Sequence, residues 1–266
     1  MSEDDAFCSA CGGSLRQVAV GDAAELAQLL LVLGHLDAQL IERELELASL
    51  TAELRAFETR YLSIVGVKLA ELDRLRADLA ARRAREQPSN ESANVEAERA
   101  RAQARRSEEA AGRVAGAPES SYRFEPSDGL KRLYRELAKL VHPDYATDAA
   151  DRARRTPYMQ RANEAYQSED EAALARIMLE WQSGATAVTE QLSTEGALVK
   201  VKANIEHRTT RLTEIEGELV ALRESDLQKL MAQVNAAEAQ GHDPLADLRL
   251  VTELDIENLR KEMAAT

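Results

Sequence analysis

The stretch LKRLYRELAKLVHPD, residues 130–144, decides the fold of this chain. Its apolar residues recur in steps of three and four, the spacing of one face of an α-helix; they are Leu130, Leu133, Tyr134, Leu137 and Val141. Pro143 disfavours the helical conformation in the residue before it and has no N–H to donate. The helix is therefore predicted to end at His142, and His142, Pro143 and Asp144 are predicted to form a stiff turn.

The basic residues of the same stretch lie off this apolar face. They are Lys131, Arg132, Arg135 and Lys139. Within residues 130–141 they accompany a single acid, Glu136, and the whole chain has a net charge of -13. The exposed side of the helix is therefore predicted to be a positive patch on an acidic protein. Such a patch favours an acidic partner.

The turn is followed, after a polar loop, by the sequence ANEAY at residues 162–166. A basic helix that ends in His-Pro-Asp and precedes this sequence resembles the second helix, loop and third helix of a J-domain, the module of DnaJ-type co-chaperones. The resemblance covers residues 127–182. It implies that the chain docks on a DnaK-type ATPase (heat-shock protein 70 class) and stimulates its ATP hydrolysis.

The same resemblance assigns the site residues. By this resemblance, His142, Pro143 and Asp144 couple docking to ATP hydrolysis. The four basic residues named above make electrostatic contacts with the ATPase. The short first helix of the family has no counterpart before Leu130. Because the remaining apolar stripes bury little area, we expect the coiled-coil arms, or the segment around Tyr122 and Phe124, to support the module.

Other interpretations of the turn compete with docking. A histidine near a helix end can be a surface residue or a favourable charge for the helix dipole. An enzyme that uses His142 and Asp144 as acid and base is disfavoured, since no nucleophile, metal cluster or glycine-rich phosphate loop joins them. The main alternative is a coiled-coil scaffold or adaptor whose J-like fold stimulates no ATPase.

The composition favours long helices over a large compact core. Charged residues make up 30% of the chain and aromatic residues 4%. The sequence has no run of about 18 uncharged apolar residues, the length that a membrane span needs, and the acidic N-terminus lacks the layout of a signal peptide. Two cysteines suit a reducing compartment, and the acidic balance disfavours nucleic acid or membrane as partner. We therefore expect a cytoplasmic protein that binds other proteins.

A heptad pattern fills residues 22–85, which are predicted to form one helix with Asp22 and Glu25 as its capping box. Beyond Tyr61 the apolar positions move in steps of four, which relieves the supercoil without ending the helix. Residues 185–266 return to heptads and form the C-terminal helical region.

The heptad positions require a partner helix, and two arrangements supply one. In the first, the two heptad regions of one chain form an antiparallel hairpin that displays the J-like module at one end. In the second, two chains form a parallel homodimer through residues 29–64.

Between the heptad regions lie a linker and the module. Residues 86–121 are predicted to be a largely disordered polar linker, because they contain Pro88 and almost no large apolar side chains. Residues 122–184 form the J-domain-like module, with Asp148 as one helix cap and Ser168 with Glu171 as a second capping box. The predicted fold class is all-α, with long coiled-coil helices on both sides of a small helical module and with client binding or assembly assigned to the coiled coils.

Cys8 and Cys11 lie in an N-terminal tail, residues 1–21, and have the spacing of half a zinc ribbon. One chain offers two thiolates, whereas a closed structural site needs four ligands. A structural zinc ion would therefore need two chains that each contribute one pair. The alternative is a disordered tail whose cysteine pair binds nothing.

Overall fold

The computed structural model of the chain describes residues 15–114, 122–183 and 193–265. All regular structure in those ranges is helical, which confirms the all-α fold class. In chain order the helices are α1 (Leu15–Tyr61), α2 (Val67–Glu86), α3 (Glu91–Gly112), α4 (Asp128–Val141), α5 (Ala149–Gln167), α6 (Glu171–Ser183), α7 (Thr194–Glu224), α8 (Asp226–Glu238) and α9 (Pro244–Ala265). A π-helical turn, Leu62–Gly66, joins α1 to α2, and a 3₁₀ turn, Pro143–Tyr145, follows α4.

The chain divides into two compact units. Unit 1 comprises Met1–Thr51 and Glu125–Leu222, and unit 2 comprises Ala52–Phe124 and Arg223–Thr266. Unit 1 contains α4, α5 and α6 together with the larger parts of α1 and α7, so the helices of the predicted J-like module belong to one unit with these coiled-coil segments. Tyr122 and Phe124, which the prediction placed in the module, belong to unit 2.

The first long helix begins earlier than predicted, and it continues through the predicted shift of apolar positions by a π turn. It begins at Leu15, so Asp22 and Glu25 lie inside a helix that has already formed and the predicted capping box there is wrong. The π turn Leu62–Gly66 follows Tyr61, where the sequence shows the apolar positions shifting. A π turn adds one residue to a helical turn, which moves the apolar face without ending the helix.

In unit 1, α1 packs against α7 in the parallel direction. Leu40 forms a buried cluster with Ile215 and Leu219. Three ion pairs advance along both helices in the same order: Lys202 with Glu25, Arg208 with Asp37, and Arg211 with Glu44. The predicted antiparallel hairpin is therefore wrong for this pair, because the flanking charges match only in the parallel direction and apolar heptads alone do not specify one.

The predicted disorder of the linker is wrong for its central part. In unit 2, α3 fills residues 91–112, and Asn90 caps it by accepting a hydrogen bond from the Ala93 N–H. Ala97 and Ala104 are buried. Alanine side chains allow a close approach of two helices without the large apolar stripe that pattern analysis looks for, and this explains the missed helix.

A buried carboxylate of α2 holds α3 in place. The Oδ2 atom of Asp73 accepts hydrogen bonds from Ser107 Oγ at 2.5 Å and from Gln103 Nε2 at 3.2 Å. We expect Asp73→Ala to weaken the attachment of α3 by about 1–3 kcal/mol, because both donors lose their acceptor. Amide hydrogen exchange over residues 94–112 measures this. Asp78→Ala, an exposed acid on the same helix, is the control and should leave exchange unchanged.

The helices of the module are capped by residues that the sequence identified only in part. Asp148 caps α5 as predicted, accepting from the Asp151 N–H at 2.8 Å. α5 continues through Pro157 without a restart. Asp170, not Ser168, caps α6 by accepting from the Ala173 N–H at 2.8 Å, so the second predicted capping box is wrong. Glu171 instead accepts a hydrogen bond from Ser127, the cap residue of α4.

The continuous helical stretch Asp22–Glu86, which comprises most of α1, the π turn and α2, contains an 18-residue window that is apolar enough to cross a membrane by length and composition alone. The core helix of a soluble protein passes the same test. The absence of a membrane partner therefore stays a prediction.

Candidate partner-docking site

Helix α4 forms as its sequence predicts. Ser127 caps its first turn by accepting from the Leu130 N–H at 2.9 Å, and Asp128 supplies an acid at the positive end of the helix dipole. Four members of the predicted apolar face are buried, namely Leu130, Tyr134, Leu137 and Val141, and the fifth, Leu133, is partly buried. Ala138 is buried beside them. The helix ends at Val141, and His142 follows in a non-helical conformation, as Pro143 requires.

The ring of His142 is buried, with 3% of the residue exposed, and both of its nitrogens are engaged. Nδ1 lies 3.1 Å from the backbone N of Asp144, and Nε2 lies 3.1 Å from Glu44 Oε1. A backbone N–H can only donate, so Nδ1 must accept and the proton of the ring lies on Nε2, which donates to Glu44. The histidine therefore connects its own turn to α1.

The carboxylate of Glu44 is the buried acidic centre of this contact. Its Oε1 atom also accepts from Arg211 Nε on α7 at 2.9 Å. Burial alone would raise the pKa of the Glu44 carboxyl, but the hydrogen bond from His142 and the charge of Arg211 hold that pKa below its usual value. Glu44 is therefore ionised at neutral pH and attracts both donors.

A second contact lies on the Asp144 side of the turn. Arg208 of α7 is buried; it donates to the Asp144 carbonyl oxygen and to Asp37 Oδ1, the latter at 2.8 Å. Its guanidinium lies 4.5 Å from the ring centre of Tyr145, and the Tyr145 hydroxyl donates to the Asp37 carbonyl oxygen at 3.3 Å. Burial raises the pKa of the Tyr145 hydroxyl, so this hydroxyl stays protonated and keeps donating.

The Asp144 carboxylate is different from the groups around it. Its Oδ2 atom is buried and has no hydrogen-bond partner among the residues that the structure describes. A buried acceptor without a donor costs about 1–3 kcal/mol. Such groups are rare in folded proteins and call for an explanation.

The four basic residues of α4 have different environments. Arg135 makes two hydrogen bonds to the carboxylate of Glu42, at 2.8 and 3.1 Å. Lys131 is half-buried, whereas Arg132 and Lys139 are exposed. The positive surface that remains open to a partner is therefore formed mainly by Arg132 and Lys139.

The ANEAY sequence has a structural role in this site. The Tyr134 hydroxyl donates to Asn163 Oδ1 at 2.7 Å, and the ring centres of Tyr134 and Tyr166 lie 4.8 Å apart. The hydroxyls of Tyr166 and Ser49 are hydrogen-bonded at 2.8 Å. Residues of α5 therefore fix α4 from one side and α1 from the other.

Sequence analysis missed the residues of α1 and α7 that complete the site, namely Asp37, Glu42, Glu44, Arg208 and Arg211. One signal was present: Arg208 interrupts a heptad core position, and a charge at such a position needs a buried partner. The acids of α1 carry no comparable signal, because they lie in a helix with many acidic residues.

Cys8 and Cys11 lie outside the described residues. Within residues 15–114, 122–183 and 193–265, no group of three or more histidine, cysteine or acidic side chains could hold a metal ion. The structural zinc ion therefore stays a prediction that depends on the N-terminal tail.

The site thus combines a helix-ending His-Pro-Asp turn, a basic outer surface and an acidic contact from α1. Comparisons of the chain with protein-family models, with curated proteins and with solved structures found no match.

Proposed function

We propose that this protein is a J-domain-like co-chaperone that docks on a DnaK-type ATPase and stimulates its ATP hydrolysis. The observation that supports this most is the unpartnered carboxylate oxygen of Asp144. A turn kept for folding alone would gain stability from a donor at that atom or from an apolar residue in its place. A turn kept for binding can hold the acceptor for a donor on the partner.

The role of each residue follows from its surroundings. Arg132 and Lys139 are exposed and provide the electrostatic contacts, with Lys131 beside them and Arg135 adding to them when its pair with Glu42 opens. Asp144 provides the coupling acceptor, and Pro143 stiffens the turn. His142 acts as a positioning residue, because its Nδ1 accepts from the Asp144 N–H and fixes the backbone there.

The proposed activity requires no chemistry on this chain. ATP is hydrolysed by the partner, so the protein is a binding module and not an enzyme. The coiled-coil segments bind a client protein or assemble two chains into a homodimer. The proposal includes the expectations from the sequence that the protein is cytoplasmic and that its partner is neither nucleic acid nor membrane.

The burial of His142 favours a second candidate function. Because the ring is 3% exposed and paired with Glu44, the turn could serve only to join α4 to α1. The protein would then be a coiled-coil scaffold or adaptor whose J-like fold stimulates no ATPase.

Single-turnover ATP hydrolysis by a DnaK-type chaperone, with and without the full chain, tests the proposal. We expect acceleration that is lost in the double variant Arg132→Glu with Lys139→Glu, since charge-dominated docking depends on exposed cations. Acceleration should also fall as salt rises, because the Debye length shortens from about 10 Å at 0.1 M to about 3 Å at 1 M ionic strength.

The matched control is Arg99→Glu with Arg106→Glu, which makes the same charge change at two exposed positions of α3. This control should keep the acceleration of the native chain. Equal loss in both double variants would mean that net charge and not the α4 surface matters, and the docking site would be wrong. If neither the native chain nor the variant Glu44→Lys, which should expose the His-Pro-Asp turn, accelerates hydrolysis, the scaffold function is the correct one.

A further inference from the structure

We propose that α1 keeps the His-Pro-Asp turn closed, so that the protein is an autoinhibited co-chaperone that must open before it docks. The inference rests on the function proposed above and adds its regulation. It starts from three acidic residues of α1, Asp37, Glu42 and Glu44, which we call the acidic cover.

Each residue of the acidic cover binds a residue of the proposed docking site or a residue that holds its turn. Glu44 accepts from His142 Nε2, and Glu42 holds the guanidinium of Arg135. Asp37 acts indirectly, because it binds Arg208, which in turn donates to the carbonyl oxygen of Asp144.

The acidic cover presents carboxylates, the same groups that an acidic partner surface would present. A basic helix surface and a histidine N–H attract carboxylates, and α1 supplies carboxylates from within the chain. An acidic partner surface and the acidic cover would therefore compete for the same donors. Binding of the partner must shift the chain toward the open arrangement, and its affinity is lowered by the fraction of chains that are closed.

The cover leaves a place for first contact. Arg132 and Lys139 are exposed and lie outside the contacts of the acidic cover. Long-range attraction to an acidic surface can therefore act on the closed protein and bring the partner to the turn before α1 leaves it.

The strength of the closure depends mainly on Glu44. The Glu42 side chain is 59% exposed, and exposed ion pairs contribute little. The Glu44 side chain is 6% exposed and binds both His142 and Arg211. Replacing Glu44 by lysine puts a cation against both donors and should separate the turn from α1.

The experiment compares Glu44→Lys with Glu46→Lys in the full chain. Glu46 lies on the same helix, where it pairs with Arg43, so it receives the same charge change away from the turn. Modification of histidines by diethyl pyrocarbonate, measured by mass spectrometry, reports opening without any ATPase. His35, His207 and His242 are exposed and serve as internal references.

In the native chain we expect His142 to react at least roughly tenfold more slowly than the references. In Glu44→Lys its rate should rise roughly 10- to 100-fold, the factor that corresponds to losing a hydrogen bond to a charged group. Glu46→Lys should react as the native chain does. A native His142 that reacts as fast as the exposed histidines overturns the closure, whatever the ATPase result.

The second measurement is stimulation of ATP hydrolysis by the same three proteins. Closure predicts stronger stimulation by Glu44→Lys than by the native chain and by Glu46→Lys. If His142 becomes reactive but stimulation is equal in all three, the regulation is wrong while the proposed function stands. If His142 becomes reactive and none of the three stimulates, the proposed function itself is wrong.

A second variant separates opening from unfolding. Asp37→Asn removes the charge that binds Arg208, and Asp37 is partly exposed, so the helix tolerates the change. Circular dichroism should show native helix content in both variants. Faster His142 modification in Asp37→Asn supports the closure, and an unchanged rate in a folded Asp37→Asn together with an unfolded Glu44→Lys overturns it.

Discussion

Replacing Glu44 by alanine should lower the free energy of unfolding of unit 1 by about 3–5 kcal/mol. The buried carboxylate accepts from His142 and from Arg211. Its removal leaves the buried His142 Nε2–H without an acceptor, whereas Arg211 keeps its bonds to the more exposed carboxylates of Glu214 and Glu218. Breaking a buried pair by removing one partner typically has this cost. This would be the largest effect of a single polar residue in the site.

The single tryptophan of the chain, Trp181, lies buried in α6 and reports this unfolding by its fluorescence. Glu46→Ala is the control, and we expect a change within about 1 kcal/mol because Glu46 is only partly buried and its ion pair with Arg43 is exposed to solvent. The double variant Glu44→Ala with Arg211→Ala should be less destabilised than the sum of its single variants, since the two residues interact directly. Additive effects would show that the pair contributes nothing.

Tyr134→Ala should be the most damaging change within the module, with a loss of about 3–5 kcal/mol, the range for a buried aromatic residue. Tyr134 is fully buried between α4 and α5, packs against the tilted ring of Tyr166 and donates its hydroxyl to Asn163. Burial raises the pKa of this hydroxyl well above its usual value, so it is protonated and donates at neutral pH.

Denaturation followed by the fluorescence of Trp181 measures this effect too. Tyr134→Phe keeps the ring and loses only the hydrogen bond, so it should cost about 1 kcal/mol and separates the two contributions. If Tyr134→Phe is as damaging as Tyr134→Ala, the hydrogen bond to Asn163 and not the packing dominates.

Much of the local structure could be predicted from the sequence. The apolar face of α4 and its end before Pro143 follow from spacing and from proline geometry. The cap at Asp148 and the shift of apolar positions after Tyr61 are also visible locally. These features depend on residues within one or two helical turns of each other, which are also close together in the sequence.

The direction of the coiled-coil pairing could not be predicted in this way. Apolar heptads in α1 and α7 fit a parallel or an antiparallel neighbour equally well. The order of the ion pairs from Glu25 and Lys202 to Glu44 and Arg211 selects the parallel arrangement, and that order becomes visible only when both helices are placed together. α3 was missed for a related reason, because its buried alanines matter only against α2.

The His-Pro-Asp turn separates most clearly what the sequence determines from what the tertiary structure determines. The sequence by itself determined that α4 ends there with a stiff turn and a basic outer side. Only the tertiary structure decided that the His142 ring is buried against Glu44, 98 residues away in the chain. Local conformation is set by short-range steric and hydrogen-bonding preferences, whereas the pairing of distant charges depends on which helices pack together, and that choice is made by the burial of the whole unit.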